Sequence, residues 1–273
     1  FSPLNSVGTW AFGSGQAPIG QVWVFFQSLM NRNPLGAGLA LAAILATIFV
    51  FAFSVYAQAM KIEIPLSFGR VRGHGIRWPL KFLYTSNIPV ILTAALLANI
   101  QLWARLLENW GKPILGTFIG NTPASGFVLW VFPPNLVQGI ITSSVTGLDF
   151  AHAAVYMLLM VGGAVLFSIF WVQTSGMDAA AQAKQMMSSG LQIPGFRRDP
   201  RVLEAILNRY IPSLTILGGI AIGVLAASAD LMGALANGTG ILLAVMIIYK
   251  LYEEIAQQHM MDMHPSLRKM MEK

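Results

Sequence analysis

The 273-residue sequence contains no cysteine and few charged residues. Without cysteine the chain can form neither a disulfide nor a thiolate metal site, so helix packing must hold the structure together. Charged residues make up 10% of the chain, whereas an average soluble domain contains about 25%. Hydrophobic residues make up 55%. This balance excludes an ordinary soluble domain and indicates that lipid surrounds most of the chain.

Ionisable residues are absent from the middle of every long apolar segment. Pumps and proton-coupled transporters usually carry such residues at mid-membrane depth. His152 and Asp230 lie near segment ends, where we predict capping roles at the membrane interface. The sequence also lacks an HExxH motif, paired carboxylates within the apolar part of one helix and a serine-histidine-aspartate set with a plausible approach. We therefore predict a protein that is not an enzyme and has no catalytic residue, metal site or cofactor.

Long charge-free windows predict five transmembrane helices, since about 20 apolar residues cross the hydrocarbon core. In the first window Asn33 suits an N-cap and Pro34 suits the first turn. The last window is interrupted by Asn-Gly-Thr-Gly at 237–240, which favours a turn or a helix start. The fold class is thus an all-α polytopic membrane helix bundle. The predicted spans are residues 33–60, 82–104, 150–177, 210–229 and 239–256.

The segments between the spans differ sharply in charge. Residues 61–81 and 178–209 form two basic loops, and residues 257–273 form a tail that adds further lysine and arginine. Residues 1–32, with a short interfacial helix, and 105–149 form the opposite loops, where Asp149 is the predicted cap of the third span. Because cytoplasmic loops retain lysine and arginine, we predict that Phe1 lies outside and the C-terminus in the cytoplasm.

Arginine predominates in the two basic loops. Positive-inside topology explains the sign of the charge, but guanidinium groups also form bidentate contacts with phosphate. RNA or an acidic partner is therefore an open alternative to simple topology. The candidate binding residues are Arg70, Arg72, Arg77, Arg197, Arg198 and Arg201.

Small residues repeat every fourth position in the fourth span, at Gly219, Gly223 and Ala227. This spacing places them on one face of the helix and allows another helix to approach its backbone closely. We interpret the pattern as a helix-packing face.

Several runs resemble the SecY family. Lys61-Ile-Glu-Ile-Pro65-Leu, Pro79-Leu-Lys-Phe-Leu-Tyr-Thr-Ser-Asn87-Ile-Pro89-Val-Ile-Leu and Leu97-Ala-Asn99-Ile-Gln-Leu-Trp are similar to its sixth and seventh helices. Phe170-Trp-Val-Gln-Thr, Gly195-Phe-Arg197, Arg209-Tyr-Ile-Pro212, Gly233-Ala-Leu-Ala-Asn-Gly-Thr-Gly240 and Tyr249-Lys-Leu-Tyr-Glu253 are similar to helices eight to ten of its archaeal branch. The resemblance implies the C-terminal half of the SecY fold, helices six to ten, which is one of two inverted repeats.

That family forms channels that pass unfolded polypeptide across the membrane or sideways into it. The resemblance implies that Ile91 and Leu243 belong to the aliphatic ring at the pore constriction, with Ile88 one turn away. It also implies that Asn99 lies at the lateral gate, where we expect it buried and bonded to the missing half. The arginine loops, with Arg197 at the matching family position, would dock on the ribosome.

The resemblance further implies a set of partners and a location. The partners are the N-terminal half of the same channel, small SecE-type and beta-type subunits, the ribosome, signal sequences, nascent polypeptide and membrane lipid. The location is the plasma membrane, which the chain crosses several times. The alternative function is a half-repeat of a secondary transporter, which would place a substrate site in broken helices near the midplane. The break at 237–240 is the feature that favours this alternative.

Overall fold

The protein is a bundle of long apolar helices with a small β-sheet at each end. The computed structural model describes residues 20–68, 75–120, 122–188, 191–192 and 200–263. Its helices are α1 (Gln21–Met30), α2 (Pro34–Ala59), α3 (Ile88–Asn109), α4 (Phe127–Val131), α5 (Leu136–Ile141), α6 (Gly147–Thr174), α7 (Ala179–Ser188), α8 (Pro200–Leu231) and α9 (Gly238–Met263). Its strands are β1 (Lys61–Phe68), β2 (Gly75–Lys81), β3 (Thr117–Ile119), β4 (Thr122–Ser125) and β5 (Leu191–Gln192).

The predicted helical membrane bundle is confirmed, although the count of five spans is not. Within the described ranges, four helices are long and apolar enough to cross a membrane, namely α2, α3, α6 and α8. Helix α9 has 26 residues, but Lys250, Glu253 and Glu254 follow its apolar first half. Helix α9 thus combines an apolar first half with a charged second half.

Capping residues explain where two of the long helices begin. The Asn33 side chain accepts a hydrogen bond from Gly36 N at 3.2 Å, and Pro34 is the first residue of α2, as the sequence predicted. Asp149 was predicted to be the cap of α6, but it is not the N-cap residue. Thr146 is the N-cap of α6, and its N–H donates to Asp149 Oδ2 at 2.8 Å. The acidic side chain thus lies inside the first turn, where it reaches back to the cap.

The fourth-position repeat of small residues packs α8 against α6, which confirms the predicted packing face. A Cβ atom at Gly219 would lie 3.1 Å from Val165 Cα, and one at Gly223 would lie 2.8 Å from Val161 Cα. Ala227 is fully buried. The two helix backbones can approach this closely because glycine has no side chain at those positions.

The end of the bundle that carries β1, β2 and β5 is called the basic end here. Strands β1 and β2 form an antiparallel hairpin in which Lys61 is opposite Lys81. Strand β5 pairs with β1 through Ser67 opposite Gln192 and Phe68 opposite Leu191. Residues 61–81, predicted as a loop, are therefore a hairpin where they are described. The second predicted loop, residues 178–209, contributes α7, β5 and the first turns of α8 to the same end.

A buried apolar cluster explains why α8 begins earlier than predicted. Pro212 was expected in the first turn of a span, but it lies inside α8, which begins at Pro200. The early turns of α8 carry charged residues on one side and buried apolar residues on the other, so the helix continues outside the apolar window. This basic-end cluster contains Ile64, Leu80, Val172, Ala179, Ala183, Met186, Leu203, Leu207, Ile211 and Leu214.

The opposite end of the bundle holds short elements rather than an open loop. The segment predicted as the loop 105–149 contains the end of α3, the β3–β4 hairpin, α4, α5 and the start of α6. Glu108 Oε1 accepts a hydrogen bond from Phe118 N at 2.9 Å, which fastens the hairpin to α3. Helix α1 packs beside α2 at this end, within the segment where a short helix was expected.

We predict that Gly223→Ala destabilises the bundle by about 1–3 kcal/mol, because the added methyl group meets the backbone of α6 and overpacks the contact. Thermal unfolding of the purified protein in detergent measures this change. Gly162→Ala is the matched control, since a Cβ atom at Gly162 meets nothing within 4 Å. Alanine should leave stability unchanged or raise it there. Equal effects of the two substitutions would contradict the proposed tight contact.

Candidate functional site

One buried side chain joins the start of α3 to the middle of the apolar half of α9. Asn87 immediately precedes α3, and its Nδ2 atom donates a hydrogen bond to Leu242 O at 2.6 Å. Both residues have no solvent-exposed surface. A buried amide that bonds a backbone carbonyl on another helix fixes two helices in both distance and register, because the hydrogen bond is directional.

The predicted ring residues lie next to this bond. Ile88 follows Asn87 directly, and Ile91 lies one turn further along, where its N–H donates to Asn87 O at 3.2 Å. Leu243 follows Leu242, and 39% of its surface is exposed. Ile88 and Ile91 are partly exposed. The structure thus brings the segments that carry all three residues together, with a partly open apolar surface on each.

Asn99, the predicted lateral-gate residue, lies on an open face of α3. It is exposed in this chain rather than buried, and its Nδ2 atom donates to Ala95 O at 2.8 Å on the same helix. The described chain places no second helix over this face of α3, so the lateral-gate role of Asn99 stays a prediction. An exposed amide on an apolar helix satisfies its donor locally when no other partner is near.

At the end away from the basic end, Asp230 fixes the start of α9. Its Oδ1 atom accepts a hydrogen bond from Gly238 N at 2.7 Å, and its Oδ2 atom accepts one from the Tyr156 hydroxyl at 2.8 Å. A carboxylate at a helix N-terminus also interacts favourably with the helix dipole. The predicted capping role of Asp230 is thus confirmed, and the helix that it caps is α9. Sequence reasoning missed Tyr156 as its second partner.

At the basic end, an ion pair fixes the second half of α9 to the β1–β2 hairpin. The Lys81 ammonium lies 2.6 Å from Glu253 Oε2 and 5.8 Å from the centre of the Tyr249 ring. The side chains of Lys81 and Glu253 are 52% and 32% exposed. Because solvent screens such a pair, its contribution to stability is small, roughly 1 kcal/mol or less. The pair joins the second half of α9 to the end of β2.

The connection between β2 and α3 is also fastened to α6 by two hydrogen bonds. The Tyr84 hydroxyl donates to Met177 O at 2.6 Å, just beyond the end of α6. The hydroxyls of Thr85 and Ser168 lie 3.3 Å apart in the buried interior. The residues that lead into α3 are therefore held by α6 on one side and by α9 on the other.

The predicted arginine residues fall into two groups. Arg70, Arg72, Arg197 and Arg198 lie outside the described residues. Arg77 lies in β2 opposite Pro65, and Arg201 is an exposed residue in the first turn of α8.

The described strands show where the chain enters the two arginine segments. The chain enters residues 69–74 from Phe68 and residues 193–199 from Gln192, and these two positions lie on neighbouring paired strands. Sequence reasoning treated the two loops separately and missed this pairing. Two residues of β5 are too short a run to produce a strand pattern in the sequence.

No group of three or more histidine, aspartate or glutamate residues in the described part of the chain could hold a metal ion. His152 contacts the Trp130 ring edge-on, with ring centres 5.6 Å apart. Beside the Asn87–Leu242 hydrogen bond lie the partly exposed apolar side chains of Ile88, Ile91 and Leu243.

Comparison with known proteins identifies relatives over almost the whole chain. A family model described as SecY matches residues 11–252. The protein translocase subunit SecY of Pyrococcus furiosus is 46% identical over 262 residues, which cover 93% of this chain and 54% of that protein. The subunit of Methanocaldococcus jannaschii is 41% identical and is covered to 58% of its length. The chain thus spans about half the length of the curated relatives it matches.

Solved structures give the same relationship in three dimensions. A structure described as that of a protein conducting channel superposes with a TM-score of 0.74 at 42% identity, covering 91% of this chain and 56% of that one. The idle yeast Ssh1 complex bound to the yeast 80S ribosome superposes with a TM-score of 0.57 at 20% identity. The second likeness shows a shared fold alone.

We predict that Asp230→Ala lowers the free energy of unfolding by about 1–3 kcal/mol, because the buried Tyr156 hydroxyl and the first N–H of α9 both lose their acceptor. Thermal unfolding in detergent measures the loss. The control is a double-mutant cycle with Tyr156→Phe. This second substitution should cost stability in the native background and little in the Asp230→Ala background. Additive losses would show that the two side chains do not act together.

Proposed function

This chain belongs to the SecY family, and on that premise we propose that it forms the C-terminal half of a protein-conducting channel. The channel would translocate secretory polypeptides across the membrane and insert membrane proteins sideways into it. The observation that carries the proposal is the junction of α3 and α9 at Asn87 and Leu242. The partly exposed apolar residues Ile88, Ile91 and Leu243 lie beside this junction and suit one side of a constriction.

The proposed constriction works through apolar side chains rather than through charge. A narrow ring of aliphatic groups loses its water and blocks ions, yet the groups can move aside for a polypeptide. Ile91 and Leu243 would supply two members of this ring and Ile88 a neighbour. The remaining members would come from the other half of the channel. No chemical step is required, so the proposed role is that of a conduit and not of an enzyme.

Two features of the chain favour a second half. The curated relatives are about twice as long as the matched region. Asn99 is an exposed amide on the apolar helix α3. A partner helix from the N-terminal half, meeting α3 at the lateral gate, would give Asn99 a hydrogen-bond partner. Signal sequences and nascent polypeptide would pass between these two helices.

The basic end suits a phosphate-rich partner. The two segments that hold Arg70, Arg72, Arg197 and Arg198 begin at neighbouring strands of the basic end. Arg77 and Arg201 belong to the same end. We propose that this end faces the cytoplasm and docks on the ribosome, with Phe1 outside the plasma membrane. Small SecE-type and beta-type subunits would complete the assembly.

The transporter alternative finds less support. It requires a broken helix near the midplane. The Asn-Gly-Thr-Gly sequence at 237–240 instead forms the beginning of α9, where Asp230 caps Gly238. The break therefore lies at a helix end.

We predict that replacing Ile91 and Leu243 together with serine raises the resting ion leak of the assembled channel, because hydroxyl groups keep water in the constriction. Conductance of the channel in planar bilayers measures this leak. An increase of about tenfold would correspond to roughly 1.4 kcal/mol off the barrier to ions.

The matched control is Ile216→Ser. Ile216 lies on α8 and is 42% exposed, close to the 39% of Leu243. It should leave the leak unchanged. If the pair of substitutions behaves like this control, then Ile91 and Leu243 face lipid and the proposed constriction is wrong.

We predict that Arg197→Glu weakens ribosome binding without preventing membrane insertion, because it replaces a phosphate-binding charge with a repulsive one. Co-sedimentation with ribosomes across a range of salt concentrations measures the effect. Lys112→Glu makes the same charge change at an exposed residue of the opposite end and should have no effect. Unchanged sedimentation of the Arg197→Glu protein at moderate salt would count against docking through this segment.

A further inference from the structure

Asn87 is a buried polar residue whose side chain does not form the helix-capping hydrogen bond expected at its position. It is the N-cap of α3, where an asparagine normally accepts a hydrogen bond from an N–H in the first turn. Here it makes no such bond. Pro89, the second residue of the helix, has no N–H to donate. The side chain turns instead to α9, where Nδ2 donates to Leu242 O.

The Asn87 side chain leaves one of its two polar atoms without a hydrogen bond. Its Oδ1 atom is buried and has no hydrogen-bond partner in the described structure. A buried polar atom without a partner opposes folding. An apolar side chain of the same size would avoid this cost, since Leu242 O also accepts a bond within its own helix. Stability alone therefore does not explain an asparagine at this position.

The backbone before Asn87 is also held in an uncommon conformation. Ser86 has a φ of 55°, a left-handed value that a residue other than glycine adopts infrequently. The Ser86 N–H donates to Leu83 O at 3.1 Å, which closes the turn that leads into α3. This turn delivers the Asn87 side chain into the interior and toward α9.

The apolar contacts of α9 do not fix its position against α3 in the same way. One apolar cluster of α9 joins Ile241 and Val245 to Val50 of α2 and Ala229 of α8. Leu242 shares a cluster with Val90 and Leu97 of α3. Apolar contacts are not directional, so they allow one helix to slide on another more easily than a hydrogen bond does.

We propose that Asn87 is a positioning residue that sets the separation and register of α3 and α9, and thereby the distance between Ile91 and Leu243. The expected consequence of this positioning is a tight resting constriction. That consequence rests on the proposed function. The positioning itself is a property of this half of the channel. The two can therefore be measured separately.

The absence of cysteine from the chain provides a direct measure of the positioning. Ile91→Cys and Leu243→Cys, introduced together into the assembled channel, report their separation through the rate of cross-linking by a short bifunctional thiol reagent. Each single cysteine variant reports any background reaction. We expect Asn87→Leu to lower the cross-linking rate roughly fivefold, the factor that a net hydrogen bond contributes to an equilibrium.

The variants separate positioning from general stability. Asn87→Leu removes the donor and the unpaired acceptor together, so the melting temperature should change little. Asn87→Asp keeps the shape but places a carboxylate oxygen against Leu242 O, and it should lower the rate at least as much. Thr93→Val is the matched control, because Thr93 is buried on the same helix but bonds Pro89 O within it. It should leave the rate unchanged.

The resting ion leak, measured without the introduced cysteines, connects positioning to function. Asn87→Leu should raise this leak, as we expect the combined Ile91→Ser and Leu243→Ser substitutions to do. Unchanged cross-linking in both Asn87 variants would overturn the proposal, even if the ring substitutions raise the leak. Reduced cross-linking would support the positioning role even if the ring substitutions had no effect on conductance, a result that would overturn the proposed constriction alone.

Discussion

Hydrocarbon offers no hydrogen-bond partner, so a membrane protein must pair its polar groups within itself. In this chain, the polar contacts of α9 described above occur at three positions along the helix. Asp230 holds its first residue, Asn87 bonds Leu242, and Lys81 pairs with Glu253 near its other end. Residues 241–248 of α9 are all apolar. The proposed constriction depends on this division, because an aliphatic ring excludes ions only if no polar group near it retains water.

The sequence predicts the spanning helices well because spanning depends on length and composition, which are local properties. It predicts the basic end poorly. Leu203, Leu207 and Ile211 are spaced as one helix face, but charged residues between them end the apolar window. The hairpin and β5 depend on pairing between segments far apart in the chain, and β5 has two residues. Pairing over such a distance leaves no periodic signal in either segment.

The candidate site was predicted unevenly for a related reason. Ile91 and Leu243 were identified through family resemblance, since an aliphatic residue in an apolar helix carries no local sign of its role. Asn87 was missed because asparagine before a helix with an early proline suggests a local cap. Its partner Leu242 lies 155 residues away. Asp230 was recognised as a cap, but Tyr156 could not be foreseen as its second partner. Contacts of this kind become visible only after the helices are packed.

Asn99 gives stronger physical support for the proposed second half than the ring residues do. Exposing a leucine or isoleucine side chain to lipid costs no free energy, so Leu243 could face hydrocarbon without a protein partner. An amide differs, because bonding its Nδ2 atom to Ala95 O leaves the carbonyl side of Asn99 on an exposed face. Such a group needs a donor that lipid cannot supply. A second half that covers α3 when closed and leaves it when a polypeptide enters would satisfy Asn99 in one state and expose it in the other.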